Sequence, residues 1–369
     1  MKITIKQKEL AQALQKLQSV TPNRTTTPIL QNVLLDAIDN GLYCTATNGE
    51  ISTRILVDGK TEERGKITVN CKKLANLIKS LDAKEVDLRT TTTDRLQVLS
   101  GKGKYSFGGL EADEFPRMPE VNEEEVDFII PAGNLKAALI DTDFAASTEE
   151  VRYRLHGVSL TFYSDKIEFA GCDGRMFAVA TYQTKIDKEI EQMVIPLKSC
   201  QEIKKVFSDD EDIFVFVEKN YLVFFTNTYQ FSSRKIELGD EGYPDYWKII
   251  KFDSENVVLA NKEQLLKAIQ RIALFARDDS SGIDLAVNEE TNTLDVTAQN
   301  MEYDGHESVD ISNKTSAVNF KINAKFLLSV LNHLDCDDVM ISMSPDTLRI
   351  TLQCPDKDNQ IYTIALLVG

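Results

Sequence analysis

The chain is poor in the residues that build reactive or cross-linked centres. Its 369 residues include three histidines, one tryptophan and six cysteines. His156, His306 and His333 are too few for a histidine metal site, and none stands at ligand spacing from Cys, Asp or Glu, so no metal is expected. His333, beside the apolar face of the last helix, reads as structural. Cys44, Cys71, Cys172, Cys200, Cys336 and Cys354 are scattered, with no CxxC pair, which points away from zinc and from a disulfide framework. Reduced thiols in a cytoplasm are the expectation. No stretch approaches the roughly 18 apolar residues of a membrane span, and Met1–Lys6 lacks the apolar core of a signal peptide. A cytoplasmic protein with no membrane partner is therefore expected.

Catalytic signatures are missing as well. GxGxxG, GxSxG and HExxH do not occur. Ser100-Gly101-Lys102-Gly103-Lys104 superficially suggests a phosphate loop, but it lies between strand-like segments and lacks GxxxxGK[ST]. No catalytic residue and no cofactor is assigned.

What is present is a repeat. Three segments pass from a short apolar strand into an amphipathic helix, starting at Lys2, Asp127 and Asn256. Their apolar residues fall at i, i+3, i+4 and i+7: Leu10, Ala13, Leu14 and Leu17 in the first, Leu265, Ala268, Ile269 and Ile272 in the third. The middle copy has Leu135, Ala138 and Leu139, then Thr142 at the last position. A second set starts at Lys66, Met193 and Val318, with Leu74, Leu77, Ile78 and Leu81 as one example. Between the helices, a strand-end pattern recurs as Thr47-Asn48-Gly49-Glu50, Cys172-Asp173-Gly174-Arg175 and Gln299-Asn300-Met301-Glu302, where Asn or Asp suits a turn. Strand pairs are expected at Val86–Arg89 with Leu96–Leu99, and at Ile213–Glu218 with Tyr221–Thr226. The fold class is α+β: three copies of one domain at 1–124, 125–253 and 254–369, each with two helices against antiparallel sheets, joined by acidic linkers at 122–125 and 253–255.

Charge sharpens this reading. The total is −16, which at first sight disfavours a nucleic-acid partner. The six helices, however, carry fourteen Lys and Arg against five Asp and Glu, a net of +9 that leaves −25 for the rest. Exposed helical lysine is common and a solvated face is the plain alternative. Six equivalent helices can instead share one surface and meet phosphates without reading sequence, while an acidic exterior repels other partners.

Together with the three similar domains, Arg24-Thr25-Thr26-Thr27-Pro28-Ile29-Leu30, Val151-Arg152-Tyr153-Arg154-Leu155-His156-Gly157, Cys172-Asp173-Gly174-Arg175 and Tyr243-Pro244-Asp245-Tyr246 resemble the bacterial DNA polymerase III beta subunits, the replication sliding clamps. The similarity runs in order through the full chain. It implies a DNA clamp fold, a head-to-tail homodimer closed into a ring, and helices lining a hole threaded by double-stranded DNA. The function implied is a non-catalytic processivity factor that tethers its polymerase. Partners implied are the replicative polymerase alpha subunit, the clamp-loader complex and other proteins with a clamp-binding motif. Arg24, Arg152 and Tyr153 match the family by motif as DNA contacts. Lys72, Lys73, Lys79, Lys198, Lys204, Lys205, Lys267, Arg271 and Arg277 are assigned to DNA by their place on the helices.

The resemblance also implies a cleft between the second and third domains that takes a short apolar peptide. Matched by motif, it would be formed by Leu155, Cys172, Gly174, Arg175, Phe177, Pro244, Lys248 and Ile249, completed by Thr363, Ile364, Ala365, Leu366 and Leu367. Two departures bear on peptide preference: Cys172-Asp173-Gly174-Arg175-Met176 replaces the usual Thr-Asp-Gly-His-Arg, and the tail ends Ala365-Leu366-Leu367-Val368-Gly369 without Met-Pro-Met-Arg. A dimer contact is expected between the edge strand Lys102–Phe107 and the Leu274–Phe275 region. Tyr105, Phe107, Leu274 and Phe275 would form its apolar centre, with Lys102 and Lys104 facing Asp278 and Asp279. For the lysine pair, the charge that commonly protects edge strands is the alternative. Two other functions are the alternatives: a carboxylate-dependent hydrolase built from repeated domains, and a surface repeat or adhesion protein. The first needs an open pocket with an elevated-pKa acid; missing secretion features speak against the second.

Overall fold

The computed structural model describes residues 1–91, 94–121, 126–252, 257–276, 281–312, 319–344 and 348–367. The acidic linkers expected at 122–125 and 253–255 lie outside them. Seven α-helices occur among the described residues: α1 (Gln7–Gln18), α2 (Cys71–Ser80), α3 (Ala132–Asp143), α4 (Leu197–Val206), the short α5 (Tyr246–Ile249), α6 (Lys262–Ile272) and α7 (Ala324–His333). The six long ones stand where the apolar spacing puts them. α1 buries Leu10, Ala13, Leu14 and Leu17, and α6 buries Leu265, Ala268, Ile269 and Ile272. Thr142 is fully buried on α3, its hydroxyl satisfied by the Ala138 carbonyl at 2.7 Å. Asparagine side chains cap α2, α6 and α7, where Asn70, Asn261 and Asn323 accept from the backbone N–H of Lys73, Gln264 and Lys325. Such a cap contributes about 1 kcal/mol.

All named strand pairs are antiparallel and form sheets of twelve, eight and four strands. The expected hairpins are present: Glu85–Thr90 pairs with Arg95–Ser100, and Asp212–Val217 with Tyr221–Phe225. The Ser100–Lys104 stretch forms the turn between Arg95–Ser100 and Gly103–Gly108, not a strand-to-helix loop.

The chain divides into two compact units, Met1–Lys136 with Lys198–Lys235, and Ala137–Leu197 with Ile236–Gly369. The division cuts the middle repeat because its strands continue two different sheets. In the first unit, Ile51–Glu63 pairs with Tyr229–Arg234 in a register that sets Ser52 opposite Ser232. In the second, Met176–Gln183 pairs with Lys357–Ala365, setting Phe177 opposite Thr363. The two junctions are built alike: Arg234 donates its N–H to the Glu50 carbonyl at 2.8 Å, and Ala365 donates to Arg175 at 2.8 Å.

Candidate functional site

The recurrent strand-end pattern is one turn built three times. Asn48 Oδ1 accepts from the N–H of Glu50 (2.9 Å) and Ile51 (2.8 Å). Asp173 Oδ1 accepts from Arg175 and Met176, both at 2.8 Å, and Asn300 Oδ1 from Glu302 (2.9 Å) and Tyr303 (2.8 Å). Gly49 and Gly174 take φ of 94° and 88°, a region that glycine reaches without steric cost.

In the second unit the turn opens onto a cleft of about 350 Å³ lined by Leu155, Cys172, Gly174, Arg175, Phe177, Pro244, Ile249, Arg349, Thr363 and Ala365. Most of its walls are apolar, and Arg175 is exposed beside them. Burial pushes the Cys172 thiol up to about 12, so Cys172 is an apolar wall and not a nucleophile. Nine residues expected at the cleft are gathered there, and four are not. Ile364 points to the opposite face of its strand and joins the buried core, because neighbouring strand residues alternate. Lys248 is turned to Asp245, with Nζ 3.0 Å from its carboxylate. Leu366 and Leu367 are half-buried and do not line the cleft.

The basic residues fall into two groups. Arg24, Lys72, Lys73, Lys79 and Lys198 are exposed, and no described acid forms an ion pair with them. Lys204 is half-buried, and Lys205 lies 3.0 Å from the buried Glu202 carboxylate. On α6, Lys267 pairs with Glu263 at 2.6 Å, and Arg271 meets Glu307 through two guanidinium nitrogens. Exposed pairs of this kind contribute little to stability. Arg152 is folded inward: its guanidinium donates to the Asp173 carbonyl and approaches Glu149 at 3.3 Å. The neighbouring Tyr153 is exposed, and its hydroxyl accepts from the Glu237 N–H at 3.4 Å. Arg277 lies outside the described residues. Without it the helices hold thirteen basic against five acidic residues, a net of +8.

Gly103–Gly108 is an edge strand of the twelve-stranded sheet, with Lys102, Lys104 and Tyr105 exposed and Phe107 half-buried. Leu274 is 79% exposed on the short 3-10 turn Ala273–Phe275. Phe275 departs from the expectation of an outward apolar centre, since it packs on the core of its own unit. Asp278 and Asp279 lie outside the described residues.

Comparison with known proteins decides the kinship. Family models described as the N-terminal, central and C-terminal domains of the DNA polymerase III beta subunit match residues 1–119, 119–245 and 248–367. The chain belongs to the DNA polymerase III beta subunit family. It is a sliding clamp of DNA replication and not an enzyme. The beta sliding clamp of Vibrio cholerae is 28% identical over 368 residues, covering 99% of each chain. The beta subunit of Pseudomonas aeruginosa superposes with a TM-score of 0.91 at 25% identity, covering all of both chains. A Bacillus subtilis sliding clamp gives 0.91 at 24% identity. The hydrolase and adhesion readings have no support.

Sequence reasoning missed Arg349 in the cleft. It stands opposite Ala365 in the strand register, and its guanidinium Nη1 donates to the Ile249 carbonyl at 2.9 Å. Only the long-range pairing brings it there. His333 is structural: its ring stacks on Phe144 at 3.7 Å, and Nδ1 lies 2.7 Å from the Ser329 carbonyl.

Proposed function

We infer that two copies of this chain close head-to-tail into a ring around duplex DNA, each copy contributing three domains near 1–124, 125–253 and 254–369. The observation that carries this reading is the separation of charge, a net of +8 on the long helices in a chain whose total is −16. Exposed Arg24, Lys72, Lys73, Lys79 and Lys198 meet phosphates without reading bases, so the contact is weak at any one place and lets the ring slide. Lys204, Lys205, Lys267, Arg271, Arg152, Tyr153 and Arg277 complete the proposed DNA-facing set. Ring closure holds what weak contacts cannot. The exposed Leu274 and the unpaired edge of Gly103–Gly108 support the head-to-tail contact, with Tyr105 and Phe107 beside them.

The cleft of the second unit takes a short apolar peptide from the polymerase alpha subunit, the clamp loader or another partner. Its small volume and apolar walls fit a few anchor side chains, with Arg175 and Arg349 at its margin. A tethered polymerase then rebinds the primer end as an intramolecular event. The test is retention on nicked circular DNA after loading by a clamp loader, followed by linearisation. Release on linearisation is the expected result, and unchanged retention would overturn the ring.

A further inference from the structure

One wall of the cleft is supplied by Pro244 and Ile249, and the chain between them carries no strand pairing to hold it. A buried carboxylate does so instead. Glu168, on the strand Lys166–Cys172, has no solvent exposure, and removing a charge from water is costly unless donors replace it. Here four converge. Lys166 Nζ donates to Oε1 at 2.7 Å. Oε2 accepts from the Tyr246 hydroxyl at 2.8 Å, the Trp247 indole Nε1–H at 2.9 Å and the Tyr163 hydroxyl at 3.3 Å.

Tyr246 and Trp247 open α5, directly between the two cleft residues. The ends of the segment are fixed separately: Tyr243 donates to the Ala170 carbonyl at 3.0 Å, and Thr351 Oγ1 donates to the Lys251 carbonyl at 3.2 Å. Arg349 Nη1 holds the Ile249 carbonyl at 2.9 Å, and the Tyr246 hydroxyl also lies 3.3 Å from Thr161 Oγ1. The Glu168 carboxylate is the group that grips Tyr246 and Trp247 together from the sheet beneath. We propose that Glu168 is a positioning residue for partner binding, fixing the Pro244–Ile249 wall through Tyr246 and Trp247 without touching the peptide. The proposal rests on the peptide-cleft reading above. An amide cannot replace the carboxylate, because a glutamine would turn N–H groups toward donors and leave at least one of them unsatisfied.

Trp247 is the single tryptophan of the chain, so indole emission reports on this anchor alone. The experiment titrates a fluorescein-labelled apolar hexapeptide ending in Leu-Phe into the full-length wild type, Glu168→Gln, Trp247→Phe and the double variant. Peptide affinity in Glu168→Gln is expected to fall by about tenfold, the scale of lost charge-assisted hydrogen bonds. Trp247→Phe falls less, the double variant matches Glu168→Gln, and Trp247 emission in Glu168→Gln shifts before any peptide is added. Retention on circular DNA stays at the wild-type level. Unchanged affinity in a folded Glu168→Gln overturns the anchor and leaves the cleft standing. Failure of the wild type to bind the peptide overturns both. Parallel loss of peptide binding and DNA retention also overturns the anchor, because it marks general unfolding. Should Glu168→Gln fail to fold, Tyr246→Phe and Trp247→Phe each delete one donor and carry the same test.

Discussion

The two inter-repeat junctions share a backbone frame and differ in side chains. Where the second unit sets Cys172, Arg175, Phe177 and Ala365, the same positions of turn and paired strand in the first unit hold Thr47, Glu50, Ser52 and Arg234. The helical side of each junction diverges too. In the first unit Lys16 of α1 donates Nζ to the Val206 carbonyl at 2.9 Å and to the Tyr229 hydroxyl at 2.7 Å. The equivalent residue on α3 is Asp141, which accepts from Gln360 Nε2 at 2.5 Å, and Gln360 occupies the register position of Tyr229. The comparison teaches that one backbone frame recurs at both junctions, and that a handful of side chains makes it the apolar cleft of the second unit.

Making the second junction resemble the first should therefore weaken the proposed peptide binding. Ala365→Arg copies Arg234 and places a long charged chain on an exposed cleft residue. Apolar peptide affinity is expected to drop by about a hundredfold with no change in melting temperature, since a clash and an unpaired charge are built into the cleft against the peptide. Fluorescence anisotropy checks the first half and calorimetry the second.

The turns offer a finer contrast. Gly49→Ala and Gly174→Ala both force alanine into positive φ, at a cost of about 1–2 kcal/mol. A Cβ on Gly49 meets nothing, whereas one on Gly174 comes within 2.7 Å of Arg152 Nη1. Urea unfolding should find Gly174→Ala the more damaging, and peptide affinity should fall in that variant alone.

The smallest effect concerns pH. Desolvation raises the Asp141 carboxyl from 3.8 to about 6, against the lowering pull of Gln360, His333 and Lys357, while Asp335 adds to the rise. The folded chain thus holds this proton more tightly than the unfolded chain, and the group's contribution to stability declines as pH climbs from about 4 to about 6. Asp141→Asn should raise the melting temperature at pH 8 and leave it unchanged below pH 4. Lys16→Met, at the equivalent position, should lower the melting temperature at both pH values.

Local features were legible because they obey local rules. The periodicity of Leu10, Ala13, Leu14 and Leu17 needs no partner to be read, and neither does the Asn or Asp that starts each strand-end turn. Alternation along Thr363, Ile364 and Ala365 would have excluded Ile364 from the cleft without a structure. Arg349, the Glu307 partner of Arg271 and the inward turn of Phe275 depend on contacts between distant segments. The same holds for the split of the middle repeat. Lys166 and Glu168 look like an ordinary charged strand until Tyr246 and Trp247 arrive from nearly eighty positions away.

The pairing of Ile51–Glu63 with Tyr229–Arg234 also governs how the molecule can be born. A nascent chain that has emerged as far as Lys136 still lacks Lys198–Lys235, the remainder of its first compact unit. Translation of the missing stretch takes on the order of 5–20 seconds at ordinary elongation rates. During that interval the strand edge that will receive Tyr229–Arg234 stands open on the ribosome. A sheet shared between successive repeats thus makes vectorial synthesis wait, and it marks the half-made clamp as a natural client for chaperones that shield open edges.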